Sequence, residues 1–173
     1  MNGPIQSRGS LHLLPAALAA WLLYLAVDFL THAVIMAGWW RDTGQFWLRP
    51  EELFRRIPFG YASFALYCAV LVWLMTRLPG RGAGVVAGLR FGAIAGAVYG
   101  ILVALAIYSV FRAPVSLLLV WPLFFTAASV AAGGGAASVL GSERPWRRLA
   151  AAFGIAIFVF VIGVALQNTL FPS

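Results

Sequence analysis

The stretch Gly84–Gly100, GVVAGLRFGAIAGAVYG, repeats glycine at every fourth position of an otherwise apolar segment. The repeated residues are Gly84, Gly88, Gly92, Gly96 and Gly100. Because an α-helix turns once every 3.6 residues or so, positions four apart form one ridge along its surface. In water each glycine costs about 1 kcal/mol relative to alanine. In a bilayer, small residues at this spacing let two helix backbones approach closely. The spacing therefore predicts a transmembrane packing surface.

The predicted partner of this glycine ladder is the next apolar segment, which follows the short link FRAP. That segment has small-residue ridges of its own. One ridge is Ala127, Ala131 and Gly135, and the next is Ser129, Gly133 and Ala137. Packing within the chain is favoured; the alternative is that the groove holds a lipid, a pigment tail or another protein's helix. The ladder contains no G-x-G-x-x-G motif, which argues against a nucleotide site.

The composition predicts that the whole chain lies in a membrane. Hydrophobic residues make up 62% of the sequence and charged residues only 10%, against about 25% charged in a soluble domain. Apolar runs of about 18 residues or more read as transmembrane helices. The predicted spans are about 11–38, 58–75, 91–110, 115–140 and 149–170. We expect an all-α polytopic transmembrane helical bundle of about five spans, forming one domain over residues 1–173.

The net charge of +7 comes from arginine alone, because the chain has no lysine. In a soluble protein such a charge suggests nucleic acid. Here the arginines lie mainly between apolar segments, where they set orientation and meet anionic lipid, so no nucleic-acid partner is predicted. Seven arginines on the N-terminal side against five on the other predict a cytoplasmic N-terminus. Abundant alanine and glycine without lysine is typical of GC-rich bacterial genomes, and we expect the bacterial inner membrane.

The segment 39–58, WWRDTGQFWLRPEELFRRIP, is predicted to lie along the membrane surface between spans one and two. Tryptophan favours the boundary between membrane and water. Pro50 suits the first turn of a helix, and two acid–arginine pairs follow at i,i+4 spacing. The residues expected at the interface are Trp39, Trp40, Trp47, Arg55 and Arg56. The pattern predicts an interfacial amphipathic helix.

Asp28 and His32 lie four residues apart on the first span, with Tyr24 on the same side. Ionisable residues within a span are costly and suggest a functional site. Three interpretations remain open: a structural clamp with Arg41 or Arg49, a proton or ligand site, and a metal site. The sequence places Asp28 near the far interface, which favours the clamp. One aspartate and one histidine are too few ligands for a tight divalent metal site.

The remaining chemistry of the sequence predicts no cofactor and no enzyme. The two histidines, His12 and His32, are 20 residues apart, which is about 30 Å along a helix, so one chain does not clamp a haem between them. Cys68 is the only cysteine. The sequence contains no nucleophile elbow, zinc-protease motif or P-loop.

Two segments, DFLTHAVIMAGWW with FWLRPEELFRRIP and GLRFGAIAGAVYG with APVSLLLVW, resemble segments of small bacterial polytopic membrane proteins to which no activity is assigned. The resemblance covers about half of the chain and implies a fold type. It implies no catalytic residue.

The leading functional hypothesis from the sequence is a non-enzymatic integral membrane protein. It would act as an accessory or scaffold subunit whose small-residue helix faces pack against a membrane complex, a second copy of itself, or lipid. The alternative is a small oligomeric transporter or channel-like protein that uses Asp28 and His32 as an intramembrane polar site.

Overall fold

The chain consists of long helices in a computed structural model that describes residues 9–38, 50–77, 84–110 and 114–170. Within these ranges all regular structure is helical. The five long helices are α1 (Gly9–Leu30), α2 (Pro50–Arg77), α3 (Val85–Val110), α4 (Val115–Leu140) and α5 (Pro145–Leu170). A π-helical segment, Thr31–Ile35, continues α1 without a break.

Each of the five described helices contains a segment long and apolar enough to cross a membrane. The segments have 24 or 26 residues, which corresponds to about 36–39 Å of helix and exceeds the roughly 30 Å of a bilayer's hydrocarbon core. A helix satisfies its own backbone N–H and C=O groups, which lipid cannot do. The expected five-span helical bundle is therefore confirmed.

The first helix is the centre of the bundle. It packs against α2, α4 and α5, while α3 packs mainly against α4. Three alanines, Ala16, Ala19 and Ala20, are completely buried on α1, so its neighbours approach closely. Leu23 of α1 packs over Gly135 of α4, and Phe29 of α1 over Gly163 of α5. Gly135 lies near the short turn that joins α4 to α5, whereas Gly163 lies far from it. α1 therefore runs away from that turn, antiparallel to α4 and in the same direction as α5.

The glycine ladder packs against α4, the partner that its spacing predicts. This is the most extensive helix contact in the described structure. Gly88, Gly92, Gly96 and Gly100 are all buried. A Cβ atom added at any of them would come within 3.0 Å of α4. The helices therefore touch backbone to backbone along four turns, as small-residue ridges permit.

Two predicted details of the ladder are wrong. Gly84 lies before α3 with a φ of +93°, and a Cβ atom added there would meet nothing within 4 Å, so it belongs to the turn and not to the packing surface. Ala127 is exposed and Ala131 only partly buried. The ladder packs instead against the neighbouring ridge of Ser129, Gly133 and Ala137, because that ridge faces α3. Gly135 is buried, but its contact is with α1.

The surface helix expected after span one is also corrected. Residues from Pro50 onward run into the second span as one helix, α2, which passes through Pro58 without ending. Membrane helices tolerate an internal proline because neighbouring groups satisfy the freed carbonyl. Arg55 and Arg56 are exposed in the first turns of this helix. The interfacial tryptophans Trp39, Trp40 and Trp47 lie outside the described residues.

Candidate functional site

Asp28 and His32 form a close pair at the end of α1. The His32 Nδ1 lies 2.9 Å from the Asp28 carbonyl oxygen and 3.2 Å from the Asp28 carboxylate Oδ1. Because a carbonyl oxygen only accepts hydrogen bonds, Nδ1 carries the hydrogen in this arrangement. The side chains are partly exposed, at 34% for His32 and 19% for Asp28. Their i,i+4 spacing on one helix produces this pairing.

The helix changes its winding at this pair. Residues Thr31–Ile35 form a π-helical segment, and the Met36 N–H donates to the Thr31 carbonyl oxygen at 2.8 Å, five residues back. Single π turns in α-helices frequently occur at functional sites. Thr31 and Met36 are both buried, so the wider turn is held by packing on either side of His32.

The pair lies beside the middle of α5. Phe29, the residue after Asp28, stacks on Phe160 of α5 with ring centroids 4.3 Å apart. Ten further residues of α5 follow Phe160 before the helix ends at Leu170, a rise of about 15 Å. α5 therefore extends well past this level, and the position of Asp28 near the far interface stays a prediction of the sequence. The predicted clamp partners Arg41 and Arg49 lie outside the described residues.

Tyr24 lies one turn before Asp28 and is completely buried. Its ring packs between Phe64 and Tyr67 of α2, with centroid distances of 4.9 Å and 5.7 Å. Its hydroxyl has no hydrogen-bond partner within the part of the chain that the structure describes. A buried hydroxyl in this state costs about 1–3 kcal/mol, so it calls for an explanation.

Polar side chains from three other helices meet Tyr24 at the same level. The Tyr67 hydroxyl of α2 shares a 2.8 Å hydrogen bond with the Ser129 hydroxyl of α4, and the Tyr67 ring stacks on Tyr99 of α3 at 4.8 Å. Each of these four residues lies within two positions of the midpoint of its span. We call Tyr24, Tyr67, Tyr99 and Ser129 the midplane cluster.

The sequence pattern does not single out Tyr67 and Tyr99, and it marks Ser129 only as a small residue of a ridge. A single tyrosine in an apolar span has no periodic pattern, so helical spacing does not reveal it. The available signal was depth: tyrosine is enriched at membrane interfaces, whereas these tyrosines are central in their spans. Among the described residues, no group of three or more His, Cys, Asp or Glu side chains converges on a metal position.

Comparisons of this chain with protein families, with curated proteins and with solved structures gave no match. The five apolar helices define the class: a multi-pass integral membrane protein. The resemblance to small bacterial polytopic membrane proteins stays a prediction.

Proposed function

We propose that this protein moves protons through the membrane by way of Asp28, His32 and the midplane cluster. The observation that carries the proposal is the Tyr24 hydroxyl, which is buried without a described partner one helical turn from an ionisable pair. Ionisable groups inside membrane segments are the usual components of proton relays. The proposal takes up the second of the two functions that the sequence predicts, a small transporter or channel-like protein.

The three side chains suit proton exchange. The carboxylate of Asp28 and the imidazole of His32 each accept a proton, and their nearest atoms are 3.2 Å apart. A tyrosine hydroxyl both donates and accepts a hydrogen bond, so the buried Tyr24 hydroxyl, which has no described partner, is available to join the series. Beyond it, the Tyr67–Ser129 hydrogen bond supplies two further hydroxyls.

The size of the site favours a proton over a larger solute. The aromatic rings of the midplane cluster lie in contact, with centroids 4.8–5.7 Å apart, and Phe125 closes the far side against Tyr99 at 5.0 Å. Rings in contact leave no room for a solute, whereas a proton passes between hydroxyls without such space. A solute the size of a sugar would require the helices to separate.

The accessory or scaffold role predicted from the sequence depends on free small-residue faces. The glycine ladder is covered by α4, and Gly135 and Gly163 are covered by α1 side chains. A role in a larger complex or a homo-oligomer therefore needs another surface. It stays a prediction of the sequence, as do the bacterial inner membrane and the absence of enzymatic activity.

A reconstituted flux assay tests the proposal. Liposomes containing the protein and an internal pH dye are given a potassium diffusion potential, and acidification is followed with time. We expect proton flux in the unsubstituted protein and its loss to the level of protein-free liposomes in Asp28→Asn. Glu143→Gln is the matched control, because Glu143 is an exposed carboxylate in the α4–α5 turn. Flux that is absent in the unsubstituted protein, or unchanged in Asp28→Asn, contradicts the proposal.

A further inference from the structure

The turn between α4 and α5 encloses a second polar feature, far from the midplane cluster. A pocket of about 480 Å³ opens there. Its lining consists of Gly141, Ser142, Glu143, Arg144, Arg147 and Arg148. Half of the lining residues are therefore arginines, in a chain whose charged residues are scarce.

The positive charge of this pocket is not neutralised by the part of the chain that the structure describes. None of its three arginines forms an ion pair with a carboxylate among the described residues, and Glu143 is the only acidic residue of the lining. The first turn of α5 contains no acidic side chain, although the positive end of a helix favours one. The pocket therefore presents a net charge of about +2 toward solvent and headgroups.

The pocket lies at the end of two membrane spans. Leu140, the last residue of α4, and Leu149, in the second turn of α5, both pack against the buried core. Between them, Trp146 exposes 60% of its surface, as suits a ring at the boundary of membrane and water. From Phe153 to Leu166 the exposed side chains of α5 are apolar. Polar pocket and apolar helix surface are thus continuous.

We propose that this pocket binds the headgroup of an anionic phospholipid. Guanidinium groups form paired hydrogen bonds with phosphate oxygens, and basic pockets at the ends of membrane helices hold anionic headgroups. The apolar surface of α5 below the pocket gives the acyl chains a place to lie. This continuity selects a lipid over free phosphate, which has no apolar part. The inference is independent of the proton-handling proposal.

A lipid titration followed by native mass spectrometry tests the site. The full-length protein in mild detergent is titrated with phosphatidylglycerol and, separately, with zwitterionic phosphatidylcholine. We expect preferential binding of phosphatidylglycerol and a roughly 30-fold loss of affinity in the double variant Arg147→Gln/Arg148→Gln, from about 1 kcal/mol per arginine. Arg55→Gln/Arg56→Gln, an adjacent exposed pair near the start of α2, is the matched control and should bind as the unsubstituted protein does.

Two further arms make the result decisive. Arg147→Lys/Arg148→Lys keeps the charge but not the paired guanidinium hydrogen bonds, so it should lose less affinity than the glutamine variant, and this graded loss separates loss of binding from loss of folding. Inorganic phosphate in large excess should leave the lipid bound. Equal binding of the two lipids, an equal loss in the control pair, or displacement by phosphate would each overturn the proposal.

Discussion

At Gly92 the backbone of α3 touches the backbone of α4 with no side chain between them. A Cβ atom there would come within 3.0 Å of the Ser129 carbonyl group, and a backbone group has little freedom to move away. Gly154 on α5 is the opposite case, because nothing lies within 4 Å of an added Cβ atom. The same substitution, glycine to alanine, should therefore affect stability differently at Gly92 and at Gly154.

Gly92→Ala should lower the free energy of unfolding by roughly 1–3 kcal/mol, the usual cost of overpacking a tight contact. Gly154→Ala should leave it unchanged or raise it, since alanine is the better helix former. Thermal unfolding in detergent, followed by circular dichroism, measures both. Equal effects of the two substitutions would show that α3 and α4 do not pack backbone to backbone.

Tyr67 and Tyr24 differ in hydrogen bonding, so substituting each by phenylalanine distinguishes an effect on stability from an effect on proton flux. Tyr67→Phe removes the bond to Ser129 and should cost about 0.6 kcal/mol, with an upper value near 1.7 kcal/mol. Tyr24→Phe removes a hydroxyl without a described partner and should leave stability unchanged or higher. The same Tyr24→Phe variant should slow proton flux in liposomes. A variant that loses stability and keeps its flux would contradict the role given to Tyr24.

The sequence predicts individual residues correctly where their spacing within one helix forms a regular pattern. Spacing alone predicts the packing face from Gly88 to Gly100, because residues four positions apart lie on one ridge of a helix. It failed at Gly84, where a positive φ ends the pattern, and at Tyr67 and Tyr99. Those tyrosines join the cluster through contacts between helices, and the spacing of residues within one helix does not predict such contacts.

At the scale of helices, α2 is attached to the bundle chiefly through α1. One hydrogen bond of this contact runs from the Trp21 Nε1–H of α1 to the Tyr61 carbonyl oxygen of α2, at 3.1 Å. Cys68 of α2 is completely buried in the same core cluster as Ala20 and Tyr24. Its thiol therefore becomes accessible only when α2 moves away from α1.

This single cysteine offers a direct measure of helix separation. Trp21→Phe should increase the rate of Cys68 modification by a membrane-permeant maleimide roughly 2- to 10-fold, from the net 0.5–1.5 kcal/mol of one hydrogen bond. Trp73→Phe is the control, because Trp73 is half exposed on α2 and should leave the rate unchanged. A faster rate in the control alone would show that α2 is held by other contacts.

The boundaries of the helices show a physical limit of sequence reading. The fourth span, Val115–Leu140, coincides with its predicted range because Pro114 and Gly141 flank it. The second helix begins at Pro50, well before the predicted start at 58. Pro58 and the change from polar to apolar residues predict a boundary there, whereas the helix continues across both. Hydropathy locates the membrane, and backbone geometry alone decides where a helix ends.

For the whole molecule, the arrangement of helices collects arginine on one face of the bundle. α1 begins on the same side as the α4–α5 turn, because it runs in the same direction as α5. Arg144, Arg147 and Arg148 lie at that turn, and Arg90 lies near the start of α3, which packs against the end of α4. Because successive spans alternate in direction, α2 begins on the opposite side with Arg55 and Arg56 and ends with Arg77 on the side of the α4–α5 turn.

This asymmetry supports a cytoplasmic position for the α4–α5 turn, since positively charged residues stay on that side. Labelling of intact cells with a membrane-impermeant maleimide tests it, with the unsubstituted protein as the measure of background from buried Cys68. Arg56→Cys should be labelled in intact cells, while Glu143→Cys should be labelled only after the membrane is opened. Both positions are exposed on the protein, so the membrane alone explains such a difference. The reverse pattern would place the N-terminus outside. It would also put the arginine pocket on the leaflet poorer in anionic lipid, where the proposed headgroup site has fewer ligands.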